Sequence, residues 1–287
     1  MTTTVNDFST GRLPTWCPGC GDFGIWAALK NALSELNIEP KDAVFVYGIG
    51  CHGNMYNAFK AVNFESLHGR PLPVANGIKM ANHKLSVFAV SGDGDAMGEG
   101  GNHFIHTAKR NLDITYIIHD NQVYGLTTGQ TSPTSPKGFK SKTNPEGSME
   151  NPFNPLALAI AAGATFVARG FAGDIAHLTN LIKLGHKHKG FSVINVLQPC
   201  VTFNHQNTYQ FYRQNVYKLD ETYQPFDKIS ALEKAYEWEK TGKIPIGLFY
   251  EEQRMPYEEE LSQIKESALT EQSLSNMDLD NIIKEFT

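Results

Sequence analysis

Apolar positions along this chain form short solid runs separated by stretches of helical period. Ala43–Tyr47, Val87–Val90, Ile114–Ile118, Ala164–Ala168 and Phe191–Leu197 are runs of apolar and β-branched residues, the pattern of strands buried on both faces. Between them, Ile25, Ala28, Leu29, Ala32, Leu33 and Leu36 share one face of a helix that Asp22 can cap. Gly98–Arg110 is helix-like, Pro71 and Pro73 open a helix reaching Ala81, Asn154 starts a helix over Pro155–Ala162, and Asp174 to about His186 forms another. Strands alternating with helices predict a doubly wound, mostly parallel α/β sheet. In such a sheet the turns that follow the strands gather at one edge, where ligands bind. Residues 1–14 read as an extended arm. Residues 131–155 carry five prolines among Gly, Ser, Thr and Asn, a long loop of the kind that often serves as a lid. From Thr208 the periodicity weakens. The expected division is therefore an α/β domain over 1–207 and a C-terminal arm or appendage over 208–287.

The most informative turn joins the second solid run to the next helix. Gly92, Asp93, Gly94 and Asp95 follow that strand, and Asn121, Gln122, Val123 and Tyr124 follow the next one. Gly92 and Gly94 let the backbone approach a ligand, and the helix behind them points its N-terminus at the same place, which suits a phosphate. The Asp93 carboxylate, the Asn121 amide oxygen and the Val123 carbonyl are hard oxygen donors that can complete one side of an octahedron around Mg²⁺. The physical reading is a Mg²⁺–diphosphate site.

Two further constellations point elsewhere. Gly48-Ile-Gly-Cys-His-Gly53 follows a strand and matches the dinucleotide pattern, so an NAD-dependent oxidoreductase is a rival reading. That motif should open a helix and be answered by an acidic residue on the next strand tip; Glu65 comes too early and lies on no clear strand. Cys17 and Cys20 form a Cys-x-x-Cys loop, and Cys51 and Cys200 each follow a strand, so all four can meet at the ligand-binding edge. Four thiolates suit zinc or a [4Fe–4S] cluster, and spacing alone leaves both open. A zinc-stapled, non-catalytic scaffold subunit is the matching non-enzyme reading.

The Gly-Asp-Gly followed just under thirty residues later by Asn121 resembles the thiamine diphosphate motif. Its flank, Asp120-Asn-Gln-Val-Tyr-Gly-Leu-Thr-Thr-Gly-Gln-Thr-Ser-Pro-Thr134, is similar to the β subunit of 2-oxoacid:ferredoxin oxidoreductases. The similarity runs from about Trp16 to Pro256 and includes Trp16-Cys-Pro-Gly-Cys-Gly-Asp-Phe23, Gly48-Ile-Gly-Cys51, Pro199-Cys-Val-Thr202 and Ile244-Pro-Ile-Gly-Leu-Phe-Tyr250.

The resemblance implies oxidative decarboxylation of a 2-oxoacid with coenzyme A to acyl-CoA and CO₂, with electrons passing to ferredoxin. It implies Cys17, Cys20, Cys51 and Cys200 as ligands of one [4Fe–4S] cluster, which also fits one-electron oxidation, since zinc cannot carry an electron. The cofactor contacts it implies are Gly50, Cys51, His68, Gly92, Asp93, Gly94, Asp95, Asn121, Val123, Gly125, Leu126 and Thr127. His52, Asn54, His68, Arg70, Leu126 and Thr128 are candidates beside the substrate. The pyrimidine-binding domain, which normally carries the Glu that promotes ylid formation, is absent from this chain and is expected on an α subunit, so the chain should be inactive alone. Asn54 and Thr128 are neutral, which favours pyruvate over 2-oxoglutarate, because a second buried carboxylate needs a cationic partner. His103, His106, His186 and His188 read as structural or surface residues.

Composition bounds these readings. The 287 residues carry a net charge of −5, which argues against nucleic acid as a partner. Residues 251–287 hold ten acidic and three basic residues, and this tail reads as a solvated terminus. No apolar run is long enough to span a membrane, and MTTTVNDFSTGRLP lacks a signal-peptide layout, so a cytoplasmic protein is expected.

Overall fold

The computed structural model describes residues 2–273, 275 and 279–286; Asp278 of the acidic tail lies outside them. Eight strands form one sheet. In chain order they are β1 (Ala43–Tyr47), β2 (Val62–Glu65), β3 (Ser86–Gly92), β4 (Ile114–Asp120), β7 (Phe166–Phe171), β8 (Phe191–Leu197), β9 (Val216–Lys218) and β10 (Ile244–Glu251). A two-stranded ribbon of β5 (Val123–Tyr124) and β6 (Gln130–Thr131) stands apart. The strand order is β2-β1-β3-β4-β8-β7-β10-β9, and every neighbouring pair is parallel except β7 with β10. This is the doubly wound, mostly parallel α/β sheet expected.

The solid apolar runs are explained by burial on both faces. In β1 and β3, Val44, Val46, Val87 and Ala89 point to one face, where they meet α2 (Pro71–Ala81), α3 (Gly101–Arg110) and α4 (Pro155–Ala162). Their neighbours Phe45, Tyr47, Phe88 and Val90 point to the other, where they pack with α1 (Asp22–Glu35) and α5 (Ile175–Lys187). Stacked rings of Phe45 and Phe88, 4.8 Å apart, close that second layer.

Several local expectations need correction. β2 falls where the sequence pattern predicts only a polar connector, yet Val62–Glu65 pairs in parallel with β1 at the sheet edge. Its short alternation leaves Val62 and Phe64 half exposed, which hides the strand from a search for buried runs. A π-helical turn over Asp95–Glu99 precedes α3, so the helix proper begins at Gly101. Asp22 is not a cap. It sits inside the first turn of α1, with Gly21 at the cap position and its own carboxylate buried. His188 is buried and reaches Thr165 at 2.8 Å and Glu251 at 3.5 Å.

The C-terminal stretch is built partly into the sheet. The short helix α6 (Tyr209–Asn215) leads directly into β9. β10 lies beside β7 and buries Ile244, Ile246 and Phe249, while α7 (Lys228–Ala235) covers the same face as α4. The weak periodicity there reflects short helices and strands that each bury only a few positions. Among the described residues no helix is long and apolar enough to cross a membrane.

Asn111 ties three distant segments together. It is buried in a left-handed conformation (φ 61°) after α3. Its Oδ1 accepts from Thr165 Oγ1 (2.7 Å) and the Phe191 N–H (2.9 Å), and its Nδ2 donates to the Arg254 and Met255 carbonyls. Asn111→Ala strands a buried strand-initiating N–H and leaves an alkyl side chain at positive φ, so it should cost about 3 kcal/mol in urea unfolding. Asn111→Gly restores the backbone preference alone and should cost less; equal losses would show that the backbone strain contributes nothing, and a Gly variant as stable as the wild type would show that the hydrogen bonds contribute nothing.

Candidate active site

Parallel pairing delivers the loops after β1, β3, β4 and β8 to one edge. They carry Gly50 and Cys51, then Asp93, then Asn121, and finally Cys200. Two adjoining cavities lie there. The first is lined by Gly50, Cys51, His52, His68, Gly92, Asp93, Gly94, Asp95, Asn121, Val123, Gly125, Leu126 and Thr127. The second, of about 210 Å³, is lined by all four cysteines together with Asn54, Leu126 and Thr128. Asp22, Cys51, Asn121, Gly125, Leu126 and Gln198 face both.

At the first cavity Asp93 is 1% exposed. Its Oδ2 accepts from Thr134 Oγ1 at 2.7 Å and from Ser132 Oγ, two hydroxyls contributed by the Pro-rich loop. Thr134 Oγ1 also lies 3.0 Å from Asp120 Oδ1, so a single hydroxyl proton stands between two buried carboxylates. Burial and the Asp120 charge push Asp93 up to about 7. A divalent cation at Asp93 would relieve that repulsion. Asn121 Oδ1 accepts the Val123 N–H at 3.0 Å, which fixes the amide and leaves a lone pair free. The Asp93 carboxylate, the Asn121 amide and the Val123 carbonyl could hold Mg²⁺ from one side, and the Gly92–Gly94 amides could hold a diphosphate. A Cβ on Gly94 would fall 2.2 Å from the Tyr124 ring, so the turn closes only with glycine.

Asp95 does not present free oxygens to a ligand. Its Oδ1 accepts the N–H groups of Ile49 (3.1 Å) and Gly69 (2.6 Å), and its Oδ2 accepts from Ser91 Oγ (2.6 Å). It is a strut joining three loops, although it lines the cavity. It also explains the first of the dinucleotide-like glycines, since a Cβ on Gly48 would lie 1.8 Å from Asp95 Oδ2. Glu65 does end a strand, but the glycine turn opens only a 3₁₀ stretch over Cys51–Asn57 rather than an α-helix. Arg70 lies outside both cavities. It is exposed, and its Nη1 donates to the carbonyls of His68, Gly69 and Glu99. His68 is held by Glu99 at 2.8 Å. Burial pushes His52 down to about 4, so this ring is neutral at ordinary pH.

The cysteine segments are tied to one another by backbone bonds. The Trp16 indole N–H donates to the Cys51 carbonyl (2.6 Å), and the Gly21 N–H donates to the Pro199 carbonyl (3.1 Å). A Cβ placed on Gly125 would lie 3.4 Å from Cys51 Sγ and 3.8 Å from Cys200 Sγ. Burial and the Asp22 charge push Cys51 up to about 12, and Cys20 and Cys200 are also raised, so the cavity disfavours bare thiolates. Among the described residues, no three His, Cys, Asp or Glu side chains converge closely enough to hold a single metal ion. Sulfurs spread around one cavity suit a cubane, whose ligands sit at its corners, better than a lone zinc ion.

Sequence reasoning missed the polar residues behind these walls. His119 Nδ1 lies 2.7 Å from Asp22 Oδ1, and Asp22 Oδ2 lies 3.3 Å from Cys20 Sγ. His119 Nε2 is buried with no partner among the described residues, and both residues face the first cavity. Asp22, Ser132 and Thr134 lie inside stretches that carry the resemblance, but their roles could not be read there, because the partners they meet are remote in sequence. Thr128 is held at φ 79°, a strained conformation for a β-branched residue, at the tip of the loop dividing the cavities.

The chain matches two family models. One is the C-terminal TPP-binding domain of thiamine pyrophosphate enzymes, over residues 48–196. The other is the C-terminal part of the pyruvate ferredoxin oxidoreductase beta chain, over residues 200–266. It is 45% identical to the 2-oxoacid:ferredoxin oxidoreductase subunit beta of Saccharolobus solfataricus, covering 88% of this chain and 87% of the relative. It is 39% identical to the 2-oxoglutarate synthase subunit KorB of Methanocaldococcus jannaschii, covering 91% and 96%. Among solved structures, the 2-oxoglutarate:ferredoxin oxidoreductase from Magnetococcus marinus with 2-oxoglutarate, coenzyme A and succinyl-CoA bound superposes with a TM-score of 0.91 at 37% identity, covering 99% of this chain and 96% of that one.

Asp93→Ala removes the one carboxylate among the three oxygen donors and should abolish Mg²⁺-dependent thiamine diphosphate binding while the fold survives. Calorimetry on the assembled complex, with circular dichroism as the control, reads both. Unchanged cofactor affinity would remove Asp93 from the site.

Proposed function

The chain belongs to the beta-subunit family of 2-oxoacid:ferredoxin oxidoreductases, and on that premise we propose that it holds the diphosphate half of the cofactor together with the first electron acceptor. As a beta subunit of a thiamine diphosphate-dependent oxidoreductase complex it works with an α subunit and ferredoxin. In the proposed arrangement Asp93, Asn121 and the Val123 carbonyl bind Mg²⁺, and Gly92 and Gly94 receive the diphosphate. Cys17, Cys20, Cys51 and Cys200 bind a [4Fe–4S] cluster. Bound thiamine diphosphate supplies the carbanion chemistry, and the cluster removes electrons one at a time; the protein orients both.

The observation that carries this reading is the shared wall. Cys51, Gly125 and Leu126 face both the Asp93 cavity and the four-cysteine cavity, so cofactor and cluster would be separated by a single loop. His52, buried and neutral, would offer a hydrogen-bonding nitrogen without a charge. The α subunit would complete the open side with its pyrimidine-binding domain, and coenzyme A would accept the acyl group. Cys200→Ala in the anaerobically purified complex should lose iron and ferredoxin reduction while thiamine diphosphate still binds. Full iron content in that variant would remove the fourth ligand.

For the substrate we propose a small, neutral 2-oxoacid, with pyruvate first. Neither cavity has a lysine or arginine in its lining among the described residues, and Asn54 and Thr128 are uncharged. The names of the M. jannaschii and M. marinus proteins favour a second reading, 2-oxoglutarate, which then requires its cation from the α subunit. Comparison of kcat/KM for pyruvate, 2-oxobutyrate and 2-oxoglutarate separates the two. Thr128→Lys should raise 2-oxoglutarate activity tenfold or more, about 1.4 kcal/mol, by pairing the distal carboxylate. A wild-type preference for 2-oxoglutarate overturns the first reading.

A further inference from the structure

We propose that a third cavity, behind the Asp93 site, is a binding site for a small carboxylate with an apolar body, anchored by Arg169. Arg169 lies on β7, between β8 and β10, and is 3% exposed. It lines a cavity of about 370 Å³, within the range of small-molecule sites. Its Nε and Nη1 are buried and have no hydrogen-bond partner among the described residues. A guanidinium left with unused donors in the interior is destabilising unless something accepts from it.

The acids nearby do not do so. Asp120 Oδ2 accepts from Asn195 Nδ2 (3.1 Å), and its Oδ1 lies 3.0 Å from the one Thr134 hydroxyl that it shares with Asp93. Glu239, exposed at the rim, accepts from Asn154 Nδ2 at 3.1 Å. The guanidinium is instead flanked by rings, with Trp238 at 5.7 Å and Phe249 at 5.4 Å from its carbon. Burial lowers its pKa only to about 10, so it remains a cation at neutral pH. A charged planar fork with unused donors, facing a space walled by Phe153, Phe211 and Trp238, suits a carboxylate on an apolar body. A bare phosphate would meet the same donors but gain nothing from those walls.

The cavity is distinct from the proposed catalytic pocket. Its lining includes none of the four cysteines and neither Asp93 nor Asn121, and Thr134, which lines it, donates to Asp93.

The test is calorimetric titration of the assembled αβ complex with benzoate, with cofactor and 2-oxoacid saturating so that the catalytic pocket is filled. The expected result is one saturable site per copy of this chain, at least tenfold weaker in Arg169→Met, with no binding of benzyl alcohol, which has the ring but no carboxylate. Absence of saturable heat, equal affinity in Arg169→Met, or equal binding of benzyl alcohol or inorganic phosphate overturns the proposal. Should Arg169→Met fail to assemble, a 4-bromobenzoate soak of wild-type crystals decides by anomalous scattering. A bromine peak in this cavity supports the site, and a peak elsewhere or none refutes it.

Discussion

Parallel pairing of β1, β3, β4 and β8 is the constraint on which the chemistry depends. Because these strands run the same way, every turn that follows one of them opens at the same edge. Gly50, Asp93, Asn121 and Cys200, spread over some half of the chain, therefore meet around two adjoining cavities. Asp95 makes that convergence rigid, since one carboxylate holds the loops after β1 and β2 and the end of β3.

Electrostatically, the edge is built to be completed by positive centres. Asp93 and Asp120 are buried with one threonine hydroxyl between them, and Asp93 is driven up to about 7. On the other side of the Gly125–Leu126 wall, buried thiols face Asp22 and are held protonated. Groups so placed favour their neutral forms until a metal supplies the missing charge. The Asp22–His119 pair lies behind that wall and touches both environments through Cys20 and the first cavity.

The C-terminal stretch extends this sheet on the side away from β2. β10 pairs antiparallel with β7, α7 packs against α4 and β10, and α8 (Glu237–Thr241) packs against β10. Together with the Pro-rich loop they enclose the Arg169 cavity, so the loop serves two sites: Ser132 and Thr134 reach Asp93, and Phe153 walls the space on the other side.

The sheet class was legible in the chain alone, because a strand covered on both faces must be apolar throughout and so announces itself as a solid run. The candidate donors Asp93 and Asn121 were legible in turn chemistry, because an oxyanion or metal site needs particular residues within a few positions, whereas the four cysteines were grouped as cluster ligands through the resemblance, since spacing alone left zinc and [4Fe–4S] open. The sequence did not reveal β2 or the sheet membership of β10, where alternation or short length leaves only a weak pattern. Folding in three dimensions made Asp95 a strut, kept Arg70 outside, paired Asp22 with His119 rather than at the cap of α1, and left Arg169 buried with donors unused among the described residues. Each of these outcomes depends on partners tens of residues away. Hydrogen bonding and burial act through space, and no local spacing in the chain records which distant group will arrive.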